Sequence, residues 1–132
     1  CTPEEIKFIK DKYNKKIISA ITVEKKEDVS KYKNFVSISD MILFDSKGYE
    51  KSLSYDHNLL NEVPNNINKM IAGNIQFDDD IEKFRNICKY IDISGGLETS
   101  GIKDISKIDI FLNKIKQLNN ETKKRYPINR ST

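Results

Sequence analysis

The chain has few of the side chains on which small metalloenzymes rely. It contains one histidine, two cysteines and no tryptophan in 132 residues. A zinc site draws its ligands mainly from cysteine and histidine, so this composition argues against zinc. The longest apolar run is Met41–Phe44, far below the roughly 20 residues that a transmembrane helix needs. The sequence therefore predicts no metal, no cofactor and no membrane-spanning segment.

Arginine is also scarce. Only Arg85, Arg125 and Arg130 stand among 23 basic residues. Arginine is the side chain that most often makes bidentate contacts with phosphates and bases, so we predict no nucleic-acid partner. The net charge is only +3, and 33% of the residues are charged. A chain of this length and composition is typical of a single globular domain, which we expect to span residues 1–132.

Helix signals are strongest at the amino end. Thr2 and Glu5 have the spacing of a capping box, and Pro3 stands at the first helical position. Apolar residues follow at helical intervals as far as Ile21. The pattern predicts a helix over about 3–22.

The middle of the chain resembles a hairpin. Residues 35–44 are rich in β-branched and aromatic side chains, the segment 45–48 reads Asp-Ser-Lys-Gly, and apolar and polar residues then alternate up to Tyr55. This pattern predicts two strands over about 35–55 joined by a tight turn. Further helices are expected at about 64–72, 78–91 and 104–125. The predicted fold class is α+β and mainly helical, with about four helices and one β-hairpin or small antiparallel sheet.

The two cysteines suggest where the protein resides. Cys1 is interpreted in three ways: as the lipid-bearing residue of a bacterial lipoprotein, as the disulfide partner of Cys88, or as an arbitrary chain boundary. A lipid on Cys1 would attach the domain to a membrane, whereas a disulfide would require an oxidising compartment. Either of these predicts an extracytoplasmic protein, with the periplasmic side of a bacterial envelope favoured.

Candidate catalytic residues are few. Asp56 and His57 are adjacent, and Asp78–Asp80 forms an acidic run. Consecutive aspartates lack the alternate spacing of a calcium loop, so capping of a helix explains them better than a metal does. The segment Ser94-Gly95-Gly96 lacks the spacing and the lysine of a phosphate-binding loop and is interpreted as a connector.

These observations favour a non-enzymatic, exported and lipid-anchored envelope protein that binds another protein and has no small-molecule substrate. An assembly or secretion adaptor and an exclusion or immunity-type inhibitor are examples. One alternative is a small extracytoplasmic enzyme that uses Asp56 and His57 or Asp78–Asp80, and another is a domain of a larger secreted surface protein. Aromatic residues are enriched at interfaces. The proposed contact surface comprises Met41, Phe44, Tyr49 and Tyr55.

Overall fold

The computed structural model describes residues 1–46 and 55–125. Within these ranges, helical segments alternate with short strands along the chain. Two 3-10 helices lie in connections, at Ser30–Asn34 and His57–Glu62, and a third, Ile81–Phe84, lies within the segment predicted as a helix over 78–91. The helices and strands are α1 (Pro3–Tyr13), β1 (Ile18–Val23), α2 (Lys26–Val29), β2 (Met41–Ser46), β3 (Lys69–Ile71), β4 (Tyr90–Ile91), β5 (Glu98–Thr99), β6 (Ile102–Lys103) and α3 (Ile105–Arg125).

Helix α1 begins as the sequence predicts but ends early. The Thr2 hydroxyl accepts a hydrogen bond from the Glu5 amide (3.2 Å), and the Glu5 carboxylate accepts one from the Thr2 amide (2.8 Å). Asn14 adopts a left-handed conformation (φ 49°) and its amide donates to the Lys10 carbonyl, which ends the helix. The predicted helix to residue 22 is therefore wrong. Its second half is strand β1, in which buried and exposed residues alternate.

The main sheet is parallel, in the order β1-β2-β3-β4. In the register, Ile21 lies beside Phe44, Phe44 beside Ile71, and Ile71 beside Ile91. Each strand is followed by a connection that returns the chain to the starting edge of the sheet, as parallel pairing requires. The carboxyl ends of all four strands therefore lie at one edge.

The predicted mainly helical α+β fold with an antiparallel hairpin is wrong. Strand β2 pairs in parallel with β1 and β3, and Asp45–Ser46 ends this strand. The predicted second strand falls mostly on residues 47–54, which lie outside the described residues. Within the described ranges, the antiparallel pairing is that of β5 with β6, two residues each. Strand propensity was recognised correctly in 41–44, but its partners are distant in sequence.

Two of the predicted helices are replaced by shorter elements. The segment 64–72 contains strand β3, and the segment 78–91 contains a 3-10 helix followed by β4. Short apolar runs do not distinguish strand from helix by spacing alone, which explains both errors. The last helix, α3, has the predicted extent. Asp104 caps it by accepting hydrogen bonds from the amides of Ser106 (2.9 Å) and Lys107 (3.4 Å).

The hydrophobic core lies on one face of the sheet. Phe44, Leu60 and Ile71 are fully buried there, and α3 contributes Phe111. Phe84, from the 3-10 helix before β4, is almost as deeply buried. The opposite face of the sheet carries the alternate residues of each strand and remains partly open to solvent. The core therefore fixes the strands from one side and aligns their carboxyl ends.

Candidate functional site

A cleft of about 320 Å³ lies at the carboxyl ends of the parallel strands. Its walls are Asp45 and Ser46 at the end of β2, residues 72–76 after β3, residues 92–96 after β4, and Glu98. In parallel α/β sheets this edge is where ligands bind, because the loops that follow successive strands converge there. We therefore take this cleft as the candidate active site.

Two glycines allow the loops to meet. A Cβ on Gly73, whose φ is +98°, would lie 2.7 Å from Ser46 Oγ and 2.8 Å from Ser46 N. A Cβ on Gly96 would overlap the carbonyl oxygen of Ile75. Gln76 and Gly96 also form an isolated parallel bridge. The absence of a side chain at these two glycines therefore lets the loop after β3 pack closely against Ser46 and against the loop after β4.

Lysines hold the loop after β4. Lys103 Nζ donates to the Ser94 carbonyl (3.0 Å), the Ser94 hydroxyl (3.2 Å) and the Glu98 carboxylate (2.7 Å). Lys107 Nζ donates to the Glu98 carbonyl (2.6 Å). The Ser94-Gly95-Gly96 loop is thus bordered by cationic side chains and contains little side chain of its own. Such a loop suits an anionic group approaching the backbone.

Carboxylates also line the cleft. Asp45 is half-buried at the end of β2, and its Oδ1 accepts a hydrogen bond from the Ser46 amide (2.8 Å). Asp92, at the end of β4, is exposed, and Glu98 is engaged by Lys103. Asp45 is therefore the carboxylate best positioned for proton transfer to a molecule in the cleft.

Asp56 and His57, the residues of the alternative enzyme hypothesis, do not lie in this cleft. Asp56 caps a 3-10 helix by accepting from the Asn58 amide (3.0 Å). The His57 ring packs edge-on against Tyr55 and Phe84, with centroids 4.7 and 5.0 Å apart. Burial lowers the pKa of His57, and Lys83 lowers it further. Both residues line a neighbouring cleft, where packing explains the histidine better than catalysis.

The aspartate run shapes a turn. Asp79 accepts a hydrogen bond from the Gln76 amide (2.9 Å), and Asp80 accepts one from the Glu82 amide (3.3 Å). Asp78, the expected cap, is exposed, while Asp80 caps the 3-10 helix instead. No group of three or more potential metal ligands occurs within residues 1–46 and 55–125.

Cys1 and Cys88 are both free thiols in the structure. Cys1 is exposed beside α1. Cys88 is half-buried in the loop before β4, and burial raises its pKa to about 11. A thiol with a raised pKa is a poor nucleophile at neutral pH. Neither cysteine contributes to the cleft.

The predicted contact surface is divided by the fold. Phe44 is fully buried, and Tyr55 is nearly so, with its hydroxyl donating to the Phe44 carbonyl (2.8 Å). Both belong to the core. Met41 is half-buried on the face of the sheet opposite the core, and Tyr49 lies outside the described residues.

The sequence did contain a signal for the cleft. Asp45 directly follows the apolar run 41–44 within β2, Gly73 and Asn74 come after β3 and one intervening residue, and Ser94 follows β4 closely. Polar or glycine residues just after short apolar segments are typical of the functional edge of a parallel sheet. The sequence patterns instead predict a hairpin turn at 45–48, the end of a helix at 64–72 and a connector at 94–96.

Comparison with known proteins identifies the relatives of this chain. The family model described as "PRAI: N-(5'phosphoribosyl)anthranilate (PRA) isomerase" matches residues 3–114. The N-(5'-phosphoribosyl)anthranilate isomerase of Brucella canis is 30% identical over 127 residues, covering 89% of this chain and 57% of the relative. The chain thus spans little more than half the length of such relatives.

Solved structures agree on the fold. Monomers of the dimeric phosphoribosylanthranilate isomerase of Thermotoga maritima match with a TM-score of 0.69 and 19% identity, covering 87% of this chain and 57% of that one. A phosphoribosylanthranilate isomerase bound to reduced 1-(o-carboxyphenylamino)-1-deoxyribulose 5-phosphate matches with a TM-score of 0.64 and 17% identity, covering 89% of this chain and 68% of that one. The fold is therefore of the TIM-barrel type, with parallel strands and alternating helical segments.

These matches correct the functional prediction. The prediction of a non-enzymatic, lipid-anchored envelope protein without a small-molecule substrate is wrong. The matching family and the relatives are isomerases of N-(5'-phosphoribosyl)anthranilate. The extracytoplasmic location and the membrane partner were inferred from the same interpretation of Cys1 and are contradicted with it. In the described part of the chain, no helix has both the length and the apolar character needed to cross a bilayer.

Proposed function

The chain belongs to the N-(5'-phosphoribosyl)anthranilate isomerase family, and we propose that its cleft forms part of the active site of such an isomerase. The substrate class is an aminobenzoate joined to a ribose 5-phosphate, and the reaction is a step of tryptophan biosynthesis. One observation carries the proposal: in a chain of this family, the ends of three adjacent parallel strands form a cleft lined by Asp45 and glycine-rich loops.

The loops after β3 and β4 are proposed to hold the phosphate. In TIM barrels, a phosphate site is often formed by the loops after two neighbouring strands. Here those loops contain Gly73, Gly95 and Gly96, where the backbone can approach a ligand closely. Lys103, which already binds Ser94, supplies positive charge beside them. Asp45, on the other side of the cleft at the end of β2, would repel the same phosphate and so favour one orientation.

Asp45 is proposed to transfer a proton during isomerisation. Converting an aminoaldose into an aminoketose moves hydrogen between adjacent carbons and opens the sugar ring, so it needs both a general base and a general acid. Asp45 is half-buried at the cleft and can fill one of these two roles. The other role requires a second group.

Phosphate binding gives a direct test of the first part. Inorganic phosphate titrated into the full chain should shift the amide NMR signals of Gly73, Gly95 and Gly96. Lys103→Met should weaken that binding about tenfold, the effect of one lost charge-assisted contact. Lys7→Met, at an exposed position of α1, is the matched control. Unchanged signals at the three glycines would contradict the proposed phosphate site.

Turnover tests the second part. Asp45→Asn should reduce the kcat of isomerisation on the order of 10²- to 10⁴-fold, the usual contribution of a general acid or base. Asp11→Asn, in exposed α1, should leave kcat unchanged. Wild-type kcat in Asp45→Asn would exclude Asp45 as the proton-transfer group.

A further inference from the structure

A second cleft lies at the edge of the sheet opposite the candidate active site. It has a volume of about 360 Å³ and lies beside the residues at which β3 and β4 begin. Lys69 is the first residue of β3, and Lys89 directly precedes β4. We call this cleft the basal pocket. Apart from two isoleucines, it is lined by cationic, amide and thiol side chains, those of Asn65, Lys69, Arg85, Asn86, Cys88 and Lys89.

The charged side chains that line the basal pocket all have the same sign. Lys69, Arg85 and Lys89 line it, and among the described residues no aspartate or glutamate does. Glu82 contacts Arg85 without lining the pocket, with its Oε1 3.7 Å from Arg85 Nη1. That carboxylate is 56% exposed, so the pair neutralises little of the charge. A concave surface with cations of one sign attracts anions.

Lys69 is the most deeply buried of the three cations, with only 3% of its surface exposed. An ammonium group has three N–H donors. In the part of the chain that the structure describes, Lys69 Nζ has one acceptor, the Val63 carbonyl (3.0 Å), and no carboxylate partner. A buried charge is costly unless it is paired and hydrogen-bonded. An anion in the basal pocket supplies both the missing acceptors and the opposite charge.

The Cys88 thiol does not provide that opposite charge. Cys88 is the group that interacts electrostatically with Lys69. Burial raises the pKa of Cys88 to about 11, so the thiol is uncharged at neutral pH. The positive charge of Lys69 is therefore left without a counter-ion from the residues around the pocket.

We propose that the basal pocket binds a small molecule through a phosphate group, with Lys69 donating from the buried side and Arg85 and Lys89 from the rim. Three cations suit a doubly charged phosphate better than a singly charged carboxylate. A guanidinium group binds phosphate oxygens in pairs, and the amides of Asn65 and Asn86 add neutral donors. The volume is within the roughly 300–1,000 Å³ of small-molecule sites, so free phosphate and a phosphate ester both fit.

The basal pocket is separate from the phosphate position proposed in the active-site cleft. That cleft is lined by residues that follow β3 and β4, whereas the basal pocket is lined by residues that begin or precede these strands. The two sites have no lining residue in common. The second site therefore does not rest on the proposed isomerase function, and one titration can distinguish the two.

The experiment titrates inorganic phosphate into the full chain at constant ionic strength. NMR follows the side-chain amides of Asn65 and Asn86 and the backbone amide of Cys88. We expect shifts that saturate. Lys69→Met should weaken the binding about tenfold, the effect of one lost charge-assisted contact. Lys89→Met, at an exposed position, should weaken it about threefold, as expected for a solvated cation.

Two further variants are the controls. Lys7→Met removes an exposed charge from α1 and should leave the basal titration unchanged. Lys103→Met should weaken only the binding that shifts Gly73, Gly95 and Gly96. Circular dichroism checks that each variant folds. If Lys69→Met does not fold, Lys89→Met still tests the site, because its side chain is exposed.

The choice of anion is tested with two other probes. Glycerol 3-phosphate that binds more tightly than inorganic phosphate would identify the ligand as an ester, and weaker binding would identify free phosphate. Both results support the proposal. Acetate that binds as tightly as phosphate would overturn the preference for a phosphate group.

Three results would overturn the site itself. Shifts at Asn65 and Asn86 that rise without saturating would show no specific binding. Saturating shifts that neither Lys69→Met nor Lys89→Met weakens would show binding elsewhere. Saturation at the three glycines alone would exclude the basal pocket and leave the proposed function intact, whereas saturation at the basal pocket alone would count only against the phosphate position in the active-site cleft.

Discussion

Gly73 lies against Ser46 so closely that no other residue fits between the ends of β2 and β3. A Cβ at position 73 would approach Ser46 Oγ to 2.7 Å, and the backbone there has a φ of +98°. This contact sets the distance between the end of β2, which carries Asp45, and the loop after β3. The geometry of the cleft thus depends on the absence of a side chain at position 73.

Gly73→Ala should destabilise the protein by about 2–4 kcal/mol, since it combines a left-handed conformation with a steric clash. Gly101→Ala is the matched control. Gly101 also has a positive φ (+77°), but a Cβ there would meet nothing within 4 Å, so only the conformational cost of about 1–2 kcal/mol applies. Urea denaturation measures both. Equal losses in the two variants would show that the contact with Ser46 can relax.

Tyr55→Phe should lower the free energy of unfolding by about 1 kcal/mol, the usual net value of one hydrogen bond. The lost bond joins the buried hydroxyl to the Phe44 carbonyl (2.8 Å). The loss stays small because that carbonyl also accepts a bond from the Ala72 amide (2.9 Å). Tyr90→Phe, at an exposed tyrosine, should change little. A loss above roughly 3 kcal/mol would mean that the hydroxyl has a larger role than this single bond.

Asp28→Asn should reduce the loss of thermal stability that the wild type undergoes as the pH falls. The Asp28 carboxylate accepts hydrogen bonds from the amides of Glu24 (2.9 Å) and Lys25 (3.1 Å) and pairs with Lys31 (3.0 Å). The backbone bonds, chiefly that of Glu24, and Lys31 lower its pKa from 3.8 to about 2.

The sign of this effect follows from the direction of the shift. A lowered folded-state pKa stabilises the protein above the ordinary pKa, and the stabilisation is lost as the pH falls from about 4 to about 2. Thermal unfolding across that range should show a smaller decrease of Tm in Asp28→Asn than in the wild type. Asp11→Asn, exposed on α1, provides the comparison. If the curves of Tm against pH for the wild type and Asp28→Asn ran parallel, the lowered pKa of Asp28 would be contradicted.

Lys69→Met should change how the free energy of unfolding depends on pH in alkaline solution. Lys69 is buried, only 3% exposed, and its ammonium donates to the Val63 carbonyl (3.0 Å). Burial lowers the pKa of Lys69 below 10.5, so the folded state releases this proton at lower pH than the unfolded state does. The free-energy cost of burying the charged ammonium is therefore complete below the folded-state pKa. It disappears as the pH rises towards 10.5.

Urea denaturation between about pH 7.5 and 10.5 measures this difference. The free energy of unfolding of the wild type should rise relative to Lys69→Met over that range. Lys7→Met, at an exposed site, should run parallel to the wild type. A constant gap between wild type and Lys69→Met would show that Lys69 is charged to the same extent in both states.

Local chemistry was predictable wherever the interacting residues are close in sequence. Thr2 and Glu5 are three residues apart, and their reciprocal capping bonds form as expected. Asp104 likewise caps α3, whose long apolar periodicity was recognised. These signals are strong because the partners lie within one helical turn and need no tertiary structure to meet.

Pairing over long distances was not predictable. Ile21 lies beside Phe44, and Ile71 beside Ile91, across about twenty residues each. Strands of two or three residues, such as β3 and β4, are too short for alternation to identify. Their conformation is decided by burial of Ile71 and Phe44 in a shared core. The cleft depends on this pairing, so its residues could not be recognised from spacing alone.

The amino-acid sequence by itself determined the capped helix starts, the absence of long apolar runs and the scarcity of histidine and cysteine. Only the tertiary structure decided that Asp45, Gly73 and Ser94, tens of residues apart, line one cleft. The physical reason is that parallel strands place their carboxyl ends at one edge, whatever their separation in the chain. The functional edge is therefore a property of strand order, which single-residue patterns do not encode.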